Sequence, residues 1–289
     1  MKKLLAIAIV LGGFTLSAQE KKEEPKDGWK KGGNISLLFN QSAFNNWLAG
    51  GTNSIAGTLN INYDFNYIKG DWTWDNKIIA SYGLTKLKGE DLQKTDDRLE
   101  FNSLAGKKAQ GNWYYSAFFN FKTQMSSTDV NGVQQSHFFS PAYFQFGPGM
   151  LWKKSDNLKV NIAPGTSKLV VVASDFTDVP AAAVAAFNAN GGYFGVQANE
   201  SIRYELGAAV NAYYKFNLME NVSVENILNL YSNYLDDPQN VDLDYTVNVV
   251  MKINKYLSAN LALQTIYDDN AFRGFQTREV FGLGVNYAF

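Results

Sequence analysis

Cysteine is absent from the 289 residues, so the chain has neither disulfides nor thiolate metal ligands. Histidine occurs once, at His137, which leaves no constellation of imidazoles for a metal and a single candidate base for catalysis. Charged residues make up only 18% of the chain while aromatic residues reach 15%, a balance unlike that of a soluble enzyme. Beyond the first 18 residues no apolar run is long enough to cross a bilayer as a helix, which excludes helical membrane topology.

What is present begins with Lys2 and Lys3, the apolar run Leu4 to Leu16, then Ser17 and Ala18. This order reads as a secretory signal peptide, residues 1–18, cleaved before Gln19. Its apolar run is too short for a retained anchor, and with no cysteine after it, lipidation of a new amino terminus is excluded. Removing two lysines from 26 basic residues leaves 24 against 27 acidic ones, a net charge near −3. That balance gives no support to nucleic-acid binding. Residues 19–28 (QEKKEEPKDG) are a charge run with nothing to bury and read as a solvated periplasmic leader.

Residues 29–289 carry period-2 alternation. The clearest case after the leader is Ile55, Gly57, Leu59, Ile61, Tyr63, Phe65 and Tyr67 on one face, with Ala56, Thr58, Asn60, Asn62, Asp64 and Asn66 on the other. The last thirteen residues behave alike: Phe281, Leu283, Val285, Tyr287 and Phe289 alternate with Gly282, Gly284, Asn286 and Ala288. Large residues would face lipid and small or polar ones an enclosed interior. Short turns, such as those at Lys69 to Asp71 and at Glu220 with Asn221, alternate with longer polar loops. The expectation is an all-β fold, a transmembrane antiparallel up-and-down β-barrel of about 12 strands in the cell outer membrane, both termini on the short-turn side. The expected longer loops include 86–97, 126–140, 173–199 and 268–276, and the helix-like segment Pro180 to Phe187 (PAAAVAAF) falls in the third.

Trp72, Trp74, Trp113 and Trp152 fall beside predicted short turns, Tyr214, Tyr287 and Phe289 sit at the same level, and together they form the expected aromatic girdle at a membrane interface. Phe289 closes the final strand in the manner of the signal that the barrel-assembly machinery recognises. Alternation directs Arg98, Glu100, Arg203, Glu205, Asp242, Asp244, Asp268 and Arg278 into the lumen toward the long-loop mouth, where such charges either tune passage of solutes or pair across strands and fill the bore. The 173–199 loop is a candidate plug or a docking surface. His137, with Ser136 and Ser140 near in sequence, has no orienting acid close by in the chain and gives no basis for catalysis. The neighbouring acids Asp236 with Asp237 and Asp268 with Asp269 offer oxygen ligands for calcium, but their spacing fits a solvated loop better. Gly147 to Gly149 (GPG) and Asn190 to Gly192 (NGG) read as turn or bulge chemistry, so no cofactor, metal or catalytic residue is assigned.

The stretch Asn45 to Gly51 (NNWLAGG), with Trp29, Trp74, Asn76, Tyr82, Gly83, Asp97, Thr123 and Gln124, resembles an uncharacterised outer-membrane barrel family of Bacteroidota, a domain of unknown function. The resemblance implies an envelope location and a barrel, and brings no activity with it. Read from the residues, Gly50 and Gly51 permit positive φ in a tight loop, and Trp47 is expected to cover the barrel rim. The expected function is non-enzymatic: a narrow channel for small polar solutes or ions. The alternative is a closed structural or accessory barrel of an envelope complex, with an envelope protein as partner besides the lipid bilayer; a lipid-modifying enzyme is a distant third.

Overall fold

The computed structural model describes residues 27–45, 51–130, 132–270 and 272–289. The signal peptide, the leader up to residue 26, and Trp47 and Gly50 of the NNWLAGG stretch lie outside the described residues.

In chain order the strands are β1 (Gly28–Ser42), β2 (Ser54–Lys69), β3 (Trp72–Leu87), β4 (Gln93–Lys108), β5 (Trp113–Thr123), β6 (Thr128–Val130), β7 (Val133–Ser136), β8 (Ala142–Ser155), β9 (Leu158–Val171), β10 (Ile202–Met219), β11 (Val222–Asn233), β12 (Val241–Lys252), β13 (Leu257–Asp268) and β14 (Phe272–Ala288). Twelve of them close a barrel in the order β1-β14-β13-β12-β11-β10-β9-β8-β5-β4-β3-β2, each antiparallel to its neighbours. The remaining two, β6 and β7, form a separate hairpin inside the loop between β5 and β8. The expected twelve-stranded up-and-down barrel is therefore what the chain forms.

The loops at the long-loop end are shorter than polarity suggested. Residues 86–97 read as loop, yet β3 runs to Leu87 and β4 starts at Gln93. Similarly β14 starts at Phe272, inside the expected loop 268–276. Strand pairing satisfies backbone groups whatever the side chains are, so the ladder continues after the apolar pattern has ended. The helix-like segment is also displaced: α1 spans Val184–Ala189 and begins four residues later than expected. Pro180 lies before it, and its carbonyl accepts from Ala183 N in a preceding turn.

Alternation sets the two faces of the wall. On β14 Leu283 is 60% exposed, while Gly282 and Gly284 are buried on the inner side. Leu37, Phe39, Leu59 and Val285 share that outward exposure. A soluble protein does not display apolar side chains on every outer face of a closed sheet. Closure removes the free edges, and this is the wall of a barrel that meets hydrocarbon outside and polar groups inside. Glycine at 284 has a packing reason, since a Cβ there would lie 2.8 Å from Leu38 Cδ2 on the neighbouring strand.

One region breaks the alternation. Opposite β8, the register of β9 jumps from Ser167 paired with Phe146 to Ile162 paired with Met150. On β9 the buried positions are odd-numbered up to Ala163 and even-numbered from Thr166 onward. Pro164 and Gly165 form the bulge, where proline's missing N–H costs no ladder bond. The GPG stretch lies against it: a Cβ at Gly147 would sit 2.5 Å from Gly165 O, and one at Gly149 2.5 Å from Ile162 O. The glycines are there to let two backbones approach.

Candidate functional site in the barrel lumen

The inward faces bring ionic side chains from distant parts of the chain together. Lys77 on β3 and Glu225 on β11 meet at 3.3 Å. These strands are six places apart in a ring of twelve, so the pair spans the bore. Tyr213 donates its hydroxyl to Glu225 Oε1 at 2.8 Å, Asn248 donates to Oε2 at 3.0 Å, and Lys77 also stands 4.0 Å from Asp64. Both partners are thus held by several hydrogen-bonding groups, the condition under which a largely buried ion pair persists.

Further bridges lie on either side of this one. Toward the short turns, Lys153 and Lys159 approach Asp75 at 3.0 and 2.7 Å. Toward the long loops, Lys122 on β5 meets Asp244 on β12 at 2.6 Å, and Gln264 donates to the same carboxylate at 2.8 Å. Arg278 on β14 bonds Asp96 on β4, which Ser81 also contacts. Arg98 bonds Glu100 two residues along its own strand, and Asn102 donates to Glu100 at 2.7 Å. At the mouth Lys168 reaches Asp242 at 3.0 Å, Glu205 at 3.5 Å and Asp268 at 3.9 Å, and Arg203 holds Glu205 at 2.5 Å.

The eight lumen charges expected from alternation therefore fall into linked sets with oppositely charged partners. Carboxylate oxygens of Asp242, Asp268 and Asp269 lie within 4.8 Å of one another. The Lys168 ammonium already meets two of these acids, so a protein cation answers the local negative charge. Asp237 accepts from Gln239 and belongs to an exposed turn.

Two cavities share the bore and have no lining residue in common. The larger, about 380 Å³, lies between Asp156 and Lys159 near the short turns and Glu100 and Lys122 near the middle of the wall. The smaller, about 210 Å³, lies beside Leu38, Thr58 and Asp96. Glu100, which lines the larger, is bonded by Arg98, and Asp96, which lines the smaller, is bonded by Arg278.

Loops cover the long-loop mouth. Val196 is fully buried against Val170 and Val172, with Tyr143, Tyr193 and Phe194 packed on this cluster. Helix α1 contributes no buried residue. The 173–199 loop, expected as a plug or a docking surface, seats on the wall through Tyr193 to Val196 and not through its alanine-rich helix. Alanines at 181–183 and 185–186 bring little apolar surface to bury. Tyr193 stacks on Phe176 at 4.8 Å, and burial, with the nearby Asp175 carboxylate, raises its phenol above the ordinary value. His137 packs on Phe176 at 5.3 Å. Contrary to the sequence reading, His137 does have an acid nearby: Asp175 Oδ2, delivered by a different loop, lies 3.8 Å from Nε2. The nucleophile is missing from that arrangement, because Ser140 Oγ accepts from Ala173 N and Nδ1 of His137 lies 2.8 Å from Phe138 O.

The aromatic residues read as a girdle sit at the short-turn end. Trp113 and Trp152 are register partners across β5 and β8, and Trp72 carries the Lys107 ammonium 5.6 Å from its ring. Phe289 stacks on Tyr63 and Tyr287 at 5.9 and 6.0 Å, and Tyr214 on Phe216 at 5.1 Å. Trp74 donates its indole N–H to Ser103 at 2.8 Å, which satisfies that polar atom at the apolar boundary.

With this geometry in hand, the chain is similar over residues 39–128 to a family described as "Protein of unknown function (DUF3078)". No curated protein matches it in sequence. Among solved structures it is similar to the translocator domain of the autotransporter NalP from Neisseria meningitidis, at 9% identity over 100% of this chain and 94% of that one, with a TM-score of 0.36. It is also similar to the COG4313 outer membrane channel from Pseudomonas putida F1, at 8% identity over 95% and 99% of the two chains, with a TM-score of 0.40. The NanC porin covers 89% of this chain and is itself covered to 98%, at 8% identity and a TM-score of 0.38.

Several lumen residues were absent from the sequence assignment. Lys77 and Lys122 were within reach of it, because each lies between outward-facing neighbours in a clean alternation. Lys168 was not, because the bulge at Pro164 and Gly165 reverses which parity points inward.

Proposed function

We propose that this protein is a non-enzymatic outer-membrane barrel whose bridged lumen forms a narrow path for small polar solutes or ions, not an open pore. The observation that carries this reading is the pair of Lys77 and Glu225, which meets across the full width of the bore. The lining of the larger cavity supports a hydrated path, since polar side chains dominate it. Ion-pair layers above and below act as constrictions that a solute must part or squeeze past. The apolar exterior, the aromatic girdle and the closed wall give the barrel its place in an outer membrane.

The packing of Tyr193 to Val196 over the mouth favours a second reading, a closed accessory barrel that docks an envelope partner through its loops. Single-channel recording in planar bilayers separates the two. The channel reading expects small conductance steps in the natural chain and larger ones in the Lys77→Ala, Glu225→Ala double variant, which removes the bridge without stranding a charge. A folded double variant that stays silent excludes the channel.

A further inference from the structure

We infer that the larger lumen cavity is a binding site for a neutral polyhydroxylated solute of mono- or disaccharide size. The inference deepens the channel reading by naming its solute class, but occupancy of the site requires no passage through the barrel.

The argument starts from charge. Four carboxylates and four lysines line this cavity, so it offers no net field to an ion. Three of the lysines are spent on carboxylates, within or just outside the lining: Lys159 on Asp75, Lys77 on Glu225 and Lys122 on Asp244. An arriving ion would have to break such a pair and leave one partner uncompensated, which is costly away from bulk water. A neutral solute would not.

What the cavity offers instead is amides, eight asparagines among its lining residues. Three of them form a row across adjacent strands, because Asn161 pairs in register with Asn211 and Asn211 with Asn229. Ser116 donates to Asn161 Oδ1 at 2.6 Å, and Asn211 Nδ2 donates to Asn229 Oδ1 at 3.0 Å. The row is interrupted between them. Asn161 Nδ2, on a residue only 2% exposed, and Asn211 Oδ1 are both buried without a hydrogen-bond partner. One is a donor and the other an acceptor, and each is expensive to leave unmet.

A hydroxyl group is both donor and acceptor. Once these amides turn to open the two atoms to the cavity, a single hydroxyl would accept from Asn161 Nδ2 and donate to Asn211 Oδ1, completing the row. Carboxylates and ammonium ions supply only half of that pairing. Leu104, packed on the buried Phe118 in the same cavity wall, gives an apolar surface for the C–H face of a sugar ring. The volume, about 380 Å³, is at the small end of ligand pockets, which suits one or two sugar rings.

The test is binding of maltose to the full-length barrel folded in lauryldimethylamine-oxide micelles, which carry no sugar headgroup, read by saturation-transfer NMR and titration calorimetry. Saturable maltose binding is expected, with sucrose competing and choline and inorganic phosphate failing to compete. Asn211→Leu, which removes the acceptor Oδ1 from the middle of the row, should weaken maltose binding roughly fivefold, the worth of about one neutral hydrogen bond. Asn66→Leu, on another wall of the same cavity, serves if the first variant does not fold. Absence of maltose binding in the natural chain overturns the inference, as does displacement of maltose by choline or phosphate, or an affinity unchanged by both substitutions. A barrel that binds maltose but stays silent in bilayers keeps this site and discards the channel; one that conducts without binding maltose does the reverse.

Discussion

Lys77 and Glu225 are 148 residues apart in sequence and 3.3 Å apart in space, held on opposite walls of the barrel. Their side chains are 22% and 18% exposed, with the larger cavity beside them. Glu225→Gln alone should destabilise the barrel by about 1–3 kcal/mol, because Lys77 is left partly buried with only the distant Asp64 for compensation. Adding Lys77→Met to make the double variant should recover much of that loss. Urea unfolding from lipid vesicles measures both, and equal, additive losses would show that the two residues are uncoupled.

Gly149 on β8 and Gly165 on β9 both lie at the irregularity between these strands and should respond in opposite ways to the same change. Gly149→Ala places a methyl 2.5 Å from Ile162 O, a rigid backbone atom, whereas Gly165→Ala meets nothing within 4 Å. The first should cost about 1–3 kcal/mol or prevent folding. The second should be close to neutral. Heat-modified migration on gels, with circular dichroism, reports which of the two still forms a barrel.

Leu283 tests where the hydrocarbon lies. As an outward residue paired with Phe39 on β1 and Ala259 on β13, its change to Arg should cost about 2–4 kcal/mol in lipid if it sits near the midplane. The same substitution at Phe275, 67% exposed and close to the long loops, should cost much less. Similar losses at both positions would be inconsistent with a hydrocarbon belt centred near Leu283.

His137 should prove dispensable. Its contacts are Phe176, Asp175 and the Phe138 carbonyl, and no serine hydroxyl is bonded to it. The natural barrel should release no fatty acid from phospholipid vesicles, and His137→Ala should fold and conduct as the natural chain does. Hydrolysis that disappears in the variant would instead make this loop an active site.

The wall was readable from the chain because period-2 alternation depends only on neighbours two residues apart. Leu59 and Leu283 point outward, and Asn62 and Arg278 inward, as their positions in the pattern require. What lies across the bore was not readable. Alternation tells which face Lys77 occupies but not that β11 will stand opposite β3, since that follows from the closing of twelve strands. The bulge at Pro164 escaped for a different reason: one change of parity silently redirected Lys168, and only the buried positions after Ala163 reveal it. The β6 and β7 hairpin is too short for a pattern, with three and four residues.

The ring is closed by the pairing of β1 with β14, a ladder of six residue pairs from Asn34 with Ala288 to Phe39 with Leu283, where β1 and β2 share fifteen. Beyond it, Gly33 and Phe289 exchange backbone hydrogen bonds at 2.8 and 3.1 Å. This hem joins the two ends of the described chain, so it has the longest loop to close and the fewest rungs to hold it. With so few rungs, this seam is where a sideways opening between hydrocarbon and lumen is expected to start.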